Sequence, residues 1–266
     1  MMPHSYSVFG GDARQTYLTS LLEQSGLPTV HTTDMVRFLE VVVLPIPTVT
    51  PDGLLRGTRL PFETLLQAAP PGTVFWGSGF HPWQSAAEAL GQRLCDFGDF
   101  PSFAEENAVP TAEGAIQLAM EELPTTIQGG SFLVIGYGRI GKALAARLDA
   151  LGGSVTVASR SEPEHPYRRD RTGAYVLPLS DYDAVFNTAP GPVFSEANCR
   201  ATREDCLLID LASAPGGIAK DCGRRLIHAL GLPAKVAPKT AARILRDIML
   251  REMEDSPWNS PPSASP

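Results

Sequence analysis

The chain has 266 residues, a length that suits two compact domains of roughly 100–150 residues each or one large one. Hydrophobic residues make up 43%, enough for buried cores, and the formal net charge of −7 disfavours a general nucleic-acid binder, which would carry a basic surplus. No apolar run approaches the ~18 residues of a membrane span, the opening Met1-Met2-Pro3-His4-Ser5-Tyr6-Ser7 lacks a signal pattern, and Cys95, Cys199, Cys206 and Cys222 lack C-x-x-C spacing; no membrane partner and a cytoplasmic setting with reduced thiols are expected.

In chain order, Tyr6 to Phe9 reads as a short strand. It runs into Gly10-Gly11-Asp12-Ala13-Arg14-Gln15 and a helix with Tyr17, Leu18, Leu21 and Leu22 on one face. Strands follow around Val30, at Leu39 to Pro45, at Thr73 to Gly77 and at Arg93 to Phe97, with helices at Phe62 to Ala69 and His81 to Leu90 between them. This alternation predicts a parallel, doubly wound sheet. Asn107 to Leu123 then reads as a helix, because Pro110 and Glu113 are helix-start signals and Pro124 ends it. A second set of elements begins at Gly129-Gly130, with strands at Ser131 to Ile135, Val155 to Ser159, Asp183 to Asn187, Leu207 to Leu211 and Arg225 to His228, and with a helix over Lys142 to Leu151. Pro238 to Met253 is a last helix, and the Ser- and Pro-rich remainder reads as a disordered tail. The predicted class is α/β, with two doubly wound parallel-sheet lobes: residues 1–108 form a substrate lobe, 109–124 a connector helix, 125–236 a Rossmann dinucleotide-binding domain, 237–254 a C-terminal helix packing back on the first lobe, and 255–266 the tail.

Gly136-Tyr137-Gly138-Arg139-Ile140-Gly141 lies between a buried strand and a helix, the context in which G-x-G-x-x-G binds a dinucleotide. Gly136 permits the tight turn, Gly138 the approach of the pyrophosphate, and Gly141 close helix–strand packing, while the helix N-terminus offers N–H groups and a positive dipole end. An NAD site carries Asp or Glu at the tip of the next strand; here that strand ends Ser159-Arg160-Ser161, so Arg160 and the serines are predicted to take a 2′-phosphate and the cofactor to be NADP rather than NAD. Glu162 and Glu164 stand close enough in sequence to reach a ribose, and Arg168, Arg169 and Arg171 read as a solvated loop.

Ligands of open α/β sheets bind at the carboxyl ends of strands. The candidates there are Asn187-Thr188-Ala189 beside the nicotinamide, Asp210 with the loop through Ser213, Gly216 and Gly217, and Asp12 and Arg14 after the first strand. Thr111 and Glu113 at the connector helix and Lys239 and Thr240 at the last helix complete the set. Asp210 reads equally as a buried hydrogen-bond acceptor, Glu113 as a helix cap, and Asp12 and Arg14 as a mutual ion pair. Lys239 at a helix start runs against the dipole, which favours a ligand role. The five histidines show no dyad or metal spacing, so no metal is expected, and His228 has no evident carboxylate partner.

The stretches Gly10 to Gln15, Pro110 to Gly114, Gly136 to Gly141, Asp210 to Gly217 and Ala237-Pro238-Lys239-Thr240-Ala241 occur in an order that resembles the A subunits of dipicolinate synthase, from Val8 to about Met249. The chain is shorter than that pattern around the first lobe's middle strands and between Ser161 and Tyr175, and Ile218-Ala219-Lys220 lacks an acidic–aromatic pair. The resemblance implies an enzyme of a spore-forming bacterium, acting in the mother-cell cytoplasm, that oxidises a dihydrodipicolinate-type precursor to pyridine-2,6-dicarboxylate. It also implies a partner, the B subunit, similar to flavoprotein decarboxylases, and it leaves a homo-oligomer open. On that reading Arg14 and Lys239 hold the dicarboxylate substrate, with Asp12, Thr111, Ser213, Gly216 and Thr240 around it, and Glu113 or Asp210 is the base, with Lys239 also in the catalytic set. Alternatives are a shikimate-type or 2-hydroxyacid-type NADP dehydrogenase, or a non-catalytic dinucleotide-binding subunit.

Overall fold

Every residue of Phe132 to Ile135 is buried, and alternate side chains along this strand go to opposite sides of a sheet. Phe132 and Val134 join Phe186, Leu207 and Ile209 in one apolar cluster, and Leu133 and Ile135 join Val185, Leu208 and Phe194 in another. Two covered faces are what a wholly parallel sheet requires. The computed structural model describes residues 5–160, 167–173 and 175–254. Their contacts divide into two units, the first made of residues through Glu106 and from Pro238 onward, the second of Asn107–Ala237.

The first unit carries β1 (Tyr6–Phe9), β2 (Thr29–Thr32), β3 (Val41–Val43), β4 (Val74–Gly77) and β5 (Arg93–Asp96), all parallel, in the order β2-β1-β3-β4-β5. Helices α1 (Ala13–Gln24), α2 (Phe62–Ala68) and α3 (Gln84–Ala89) connect them. One side of the sheet packs Val8, Val41, Val43 and Trp76 against Leu18 and Leu22 of α1 and against Ala242, Leu245 and Ile248 of the last helix, and the other packs Phe9, Val42 and Phe75 against Phe62 and Leu65 of α2.

The second unit carries β6 (Ser131–Ile135), β7 (Ser154–Ala158), β8 (Arg168–Asp170), β9 (Ala184–Asn187), β10 (Leu207–Asp210) and β11 (Arg225–His228) in the order β11-β10-β9-β6-β7-β8. That is the strand order of a dinucleotide-binding sheet, with the winding reversing direction between β6 and β9. The chain continues as α4 (Pro101–Glu122), α5 (Arg139–Ala150), α6 (Glu196–Ala201), α7 (Leu232–Val236) and α8 (Pro238–Glu254). The fold class is therefore α/β with two parallel, doubly wound sheets.

The structure corrects several local expectations. Helix α4 begins at Pro101 rather than near Asn107, and Pro110 lies in its interior, where it has no N–H for the Glu106 carbonyl. Apolar packing of Ala112, Ala115, Ile116 and Ala119 into the second unit holds the helix despite that loss. Thr111 and Glu113 are thus mid-helix residues, not start residues. On α1, Tyr17 is exposed, and Arg14 and Gln15 take buried places beside Leu18 and Leu22. Arg168–Asp170, expected in a loop, pairs with β7 as an edge strand. The tail 255–266 and the residues Ser161, Glu162 and Glu164 lie outside the described residues. No helix among the described residues is long and apolar enough to cross a membrane.

All four cysteines are buried free thiols. Burial raises Cys95 from 9.0 to about 11, and Cys199 and Cys206 from 9.0 to about 12. Below pH ~9 these thiols are protonated whether the chain is folded or not, and their contribution to stability is complete. Above it the unfolded chain releases protons that the folded chain keeps, so stability falls as pH rises from ~9 through the folded values. The urea midpoint should decline between pH ~8.5 and ~10.5, and a thiol reagent at pH ~8 should label native protein far more slowly than unfolded protein; a flat midpoint with rapid native labelling would contradict this.

Candidate dinucleotide site and strand-end cluster

At the end of β6 the backbone turns sharply, with Gly136 at φ +92°, a region L side chains rarely adopt. A Cβ at Gly136 would also lie 2.6 Å from Thr188 Oγ1 and 3.1 Å from the Ala189 nitrogen. At Gly141 a Cβ would collide with the Gly136 carbonyl. Gly138, the N-cap of α5, differs: a Cβ there would meet nothing within 4 Å. Two glycines of the motif are therefore needed for close packing within the protein, and the middle one borders open space. A pyrophosphate needs that combination, a closed turn with one open face at a helix N-terminus.

Neighbouring strands hold the turn in place. Thr188 Oγ1 donates to the Ile135 carbonyl at 2.9 Å, tying the end of β9 to the end of β6. Asn187 is fully buried and both ends of its amide are engaged: Nδ2 donates to the Ala189 carbonyl at 3.0 Å and to Asp210 Oδ1 at 2.8 Å, and Oδ1 accepts from the Ala189 nitrogen at 3.0 Å. Asn187 shapes the Thr188-Ala189 turn rather than reaching outward. Tyr137 of the glycine motif meets the Tyr167 ring edge-on, with centroids 6.3 Å apart, and Lys142 Nζ lies 5.6 Å from the Tyr137 ring centre. Arg139 is exposed and Ile140 half-buried. At the tip of β7, Ser159 is buried and Arg160 is exposed, while Ser161 lies outside the described residues.

Asp210 is the other centre of this sheet end. It is fully buried, and its carboxylate accepts from Asn187 Nδ2 and the Ala212 nitrogen on one oxygen and from the Gly217 and Ile218 nitrogens, at 2.7 and 3.0 Å, on the other. A charged group so enclosed must be paired this fully to be tolerated. The loop it gathers has Ser213 and Gly216 joined by a backbone hydrogen bond of 2.9 Å, a cis Ala214–Pro215 bond, and Gly216 at φ +90°. A Cβ on Gly216 would stand 2.7 Å from Asp210 Oδ2, and one on Gly217 would be 2.9 Å from the Ala189 carbonyl. Ser213 stays exposed at the loop tip. With its oxygens so occupied, Asp210 organises the loop from Ala212 to Ile218. His228, read as lacking a carboxylate, has Nδ1 3.9 Å from Asp210 Oδ2 across the β10–β11 pair. No local sequence signal marks that pairing, since it arises from parallel register between strands.

Glu113 is exposed and 3.5 Å from Arg147 Nε. Arg147 is eight residues along α5 from Arg139, on the order of 12 Å at the helical rise, so Glu113 sits toward the end of α5 away from the glycine turn. Thr111 Oγ1 donates to the Asn107 carbonyl at 2.7 Å within α4.

In the first unit, Asp12 is the N-cap of α1: Oδ1 accepts from the Arg14 nitrogen at 2.8 Å and the Gln15 nitrogen at 3.3 Å. Arg14 is 7% exposed, and its NH2 group donates to Asp12 Oδ2 at 3.1 Å and to the Ile46 carbonyl at 3.0 Å. Arg14 Nε is buried without a hydrogen-bond partner among the described residues. The guanidinium thus turns inward to bind the β1 and β3 ends together, where a directly substrate-facing cation was expected. Lys239 is exposed and Thr240 half-buried in the first turn of α8.

Removing the Asp210 carboxylate leaves buried backbone N–H groups unpaired. Asp210→Ala is expected to lower unfolding free energy by about 3 kcal/mol or more, read from urea denaturation. An unchanged midpoint with abolished turnover would instead make Asp210 a catalytic group.

No family model matches the chain. It is 28% identical to the A subunit of dipicolinate synthase from Bacillus subtilis (strain 168), over 91% of this chain and 93% of that protein. The crystal structure of the corresponding A subunit from Bacillus halodurans superposes with a TM-score of 0.82 at 26% identity, over 95% of this chain and 99% of that one. A D-2-hydroxyisocaproate dehydrogenase structure, at 13% identity and a TM-score of 0.56 over 98% of each chain, shares the fold alone. In sequence and in fold, the chain resembles the A subunits of dipicolinate synthase along nearly its whole length.

Proposed function

We propose that the chain is an NADP-dependent oxidoreductase that converts a dihydrodipicolinate-type precursor to pyridine-2,6-dicarboxylate during sporulation, in the mother-cell cytoplasm, together with a flavoprotein-like B subunit. The observation that carries the reading is the glycine turn, closed at Gly136 and Gly141 and open at Gly138, beside a strand tip that ends in Arg160. Those residues fit a nicotinamide dinucleotide: α5 supplies its N-terminus to the pyrophosphate, and Arg160 supplies a charge suited to a 2′-phosphate. The bound cofactor would accept the hydride of the aromatisation.

The rest falls to the chain's own residues. The loss of two hydrogens from the dihydropyridine ring is one hydride to the cofactor and one proton to a base or water, and the product keeps both carboxylates. Lys239, exposed in the first turn of α8, is the cation that suits one carboxylate, with the N–H groups of that turn and Thr240 beside it. Arg14 acts through Asp12, holding the start of α1. The strand-end loop at Ser213 and Gly216, fixed by Asp210, offers backbone donors at the sheet edge where ligands of such folds bind.

Turnover is followed by the absorbance of the reduced nicotinamide with the precursor, with and without the B subunit. Lys239→Ala is expected to raise KM for the precursor about tenfold or more, the scale of one charge-assisted contact, while cofactor affinity stays within about twofold. Arg14→Ala is expected to lower stability, since it empties a buried side-chain position and removes the donor to the Ile46 carbonyl. Unchanged steady-state constants in Lys239→Ala would remove that residue from the site. Turnover on shikimate or a 2-hydroxyacid, with none on the dihydropyridine, would replace the proposed substrate, and no turnover under any pairing would favour a structural dinucleotide-binding role.

A further inference from the structure

We infer that His228, at the carboxyl end of β11, takes the proton released in the aromatisation, with Asp210 behind it as the charge that stabilises the protonated ring. This rests on the proposed oxidation and names a residue for its proton step. Asn187, Asp210 and His228 occupy one register row across the adjacent ends of β9, β10 and β11. Exposure rises along the row: Asn187 and Asp210 are fully buried, and the His228 side chain is 44% exposed. Asn187 Nδ2 donates to Asp210 Oδ1 at 2.8 Å, and His228 Nδ1 stands 3.9 Å from Asp210 Oδ2. The Ala229 nitrogen donates to the Asp210 carbonyl at 2.8 Å, which fixes the backbone next to His228. A Cβ on Gly216 would lie 3.6 Å from His228 Cε1, so the ring rests against the strand-end loop that Asp210 gathers.

A separation of 3.9 Å is too long for a hydrogen bond, and Oδ2 already accepts from the Gly217 and Ile218 nitrogens. The pairing is therefore one of charge. Asp210 accepts from four N–H groups and donates to none, as an ionised carboxylate does. Its charge gains most when the neighbouring imidazole becomes a cation, which happens when the ring takes a proton. Leu211 to Ala219 and Ala229 to Gly231 carry no charged residue. Arg225, paired with Glu122, lies at the opposite end of β11. Asp210 is thus the charged group facing the ring among the described residues. In the reaction, one ring C–H leaves with its electron pair as hydride to the nicotinamide of NADP+. A proton from a ring C–H or N–H passes to the imidazole, and the electron pair it leaves behind completes the aromatic ring. The imidazolium then gives the proton to water, which its exposed edge can reach. Asp210 acts only as a positioning residue in this scheme.

The test compares the full chain with His228→Gln and His228→Ala in the complete reaction, supplied with the precursor, NADP+ and the B subunit, across a pH series. Wild-type kcat/KM is expected to rise with pH through a single ionisation, because the ring must be neutral to take a proton. His228→Gln should lower kcat by about 100-fold or more, the usual scale of a general base, and should lose that rising limb. Added imidazole should restore part of the rate to His228→Ala and none to His228→Gln, whose side chain leaves no space for it. Calorimetric NADP+ affinity should stay within about twofold and the urea midpoint close to wild type, since the ring is half-exposed and makes no hydrogen bond to the protein among the described residues. A His228→Gln kcat within about threefold of wild type would overturn the inference while the proposed oxidation stands. So would a lowered kcat that keeps the wild-type pH profile, or one that falls in step with NADP+ affinity or the urea midpoint. Absence of wild-type turnover on the precursor would overturn the proposed oxidation and this inference with it.

Discussion

The second unit depends on a buried hydrogen-bond cluster at the carboxyl end of its sheet, centred on Asn187 and Asp210. These residues are direct neighbours in the β9–β10 register, and their side chains bond to each other. Asn187 sets the Thr188-Ala189 turn, Thr188 fastens that turn to the end of β6, and Asp210 gathers the loop from Ala212 to Ile218. The glycine turn is thereby formed against a fixed neighbour instead of hanging from a single strand. Burying an amide and a carboxylate is costly unless each polar atom is met, and here backbone N–H groups of the loops meet them.

That arrangement separates two kinds of residue that share a strand end. Asn187 and Asp210 are inward-facing and use their hydrogen-bonding capacity on the protein. Gly138, Arg160 and Ser213 border open space or are exposed. The functional reading rests on the second group, and the reproducibility of its geometry on the first. The first unit repeats the scheme in smaller form, with Asp12 capping α1 and Arg14 joining that cap to the Ile46 carbonyl.

Much of the fold is legible in the residues because hydrophobic periodicity and glycine positions are local signals. Ser131 to Ile135 followed by Gly136 to Gly141 can be read as strand, turn and helix without knowing anything else, and the strand candidates at Asp183, Leu207 and Arg225 stand out for the same reason. What is illegible depends on partners distant in sequence. Arg168–Asp170 has no strand propensity and becomes a strand because Asp170 anchors Arg171, Val176 and Leu177. Pro110 signals a helix start, yet tertiary packing of alanines carries α4 through it. The same limit applies at the site: the residue type of Asp210 suggests acid–base chemistry, and its four donors come from residues that no local pattern links to it. His228 gains its carboxylate neighbour through strand register, which no spacing rule contains.

The proposed function couples the dinucleotide turn to the aromatisation of a dicarboxylic dihydropyridine. The most direct measurement quantifies pyridine-2,6-dicarboxylate and NADPH in the same reaction, supplied with the precursor, NADP+ and the B subunit. The two are expected to form in equal amounts. Aromatic product formed without cofactor reduction, or equal amounts with NAD+ and none with NADP+, would contradict it.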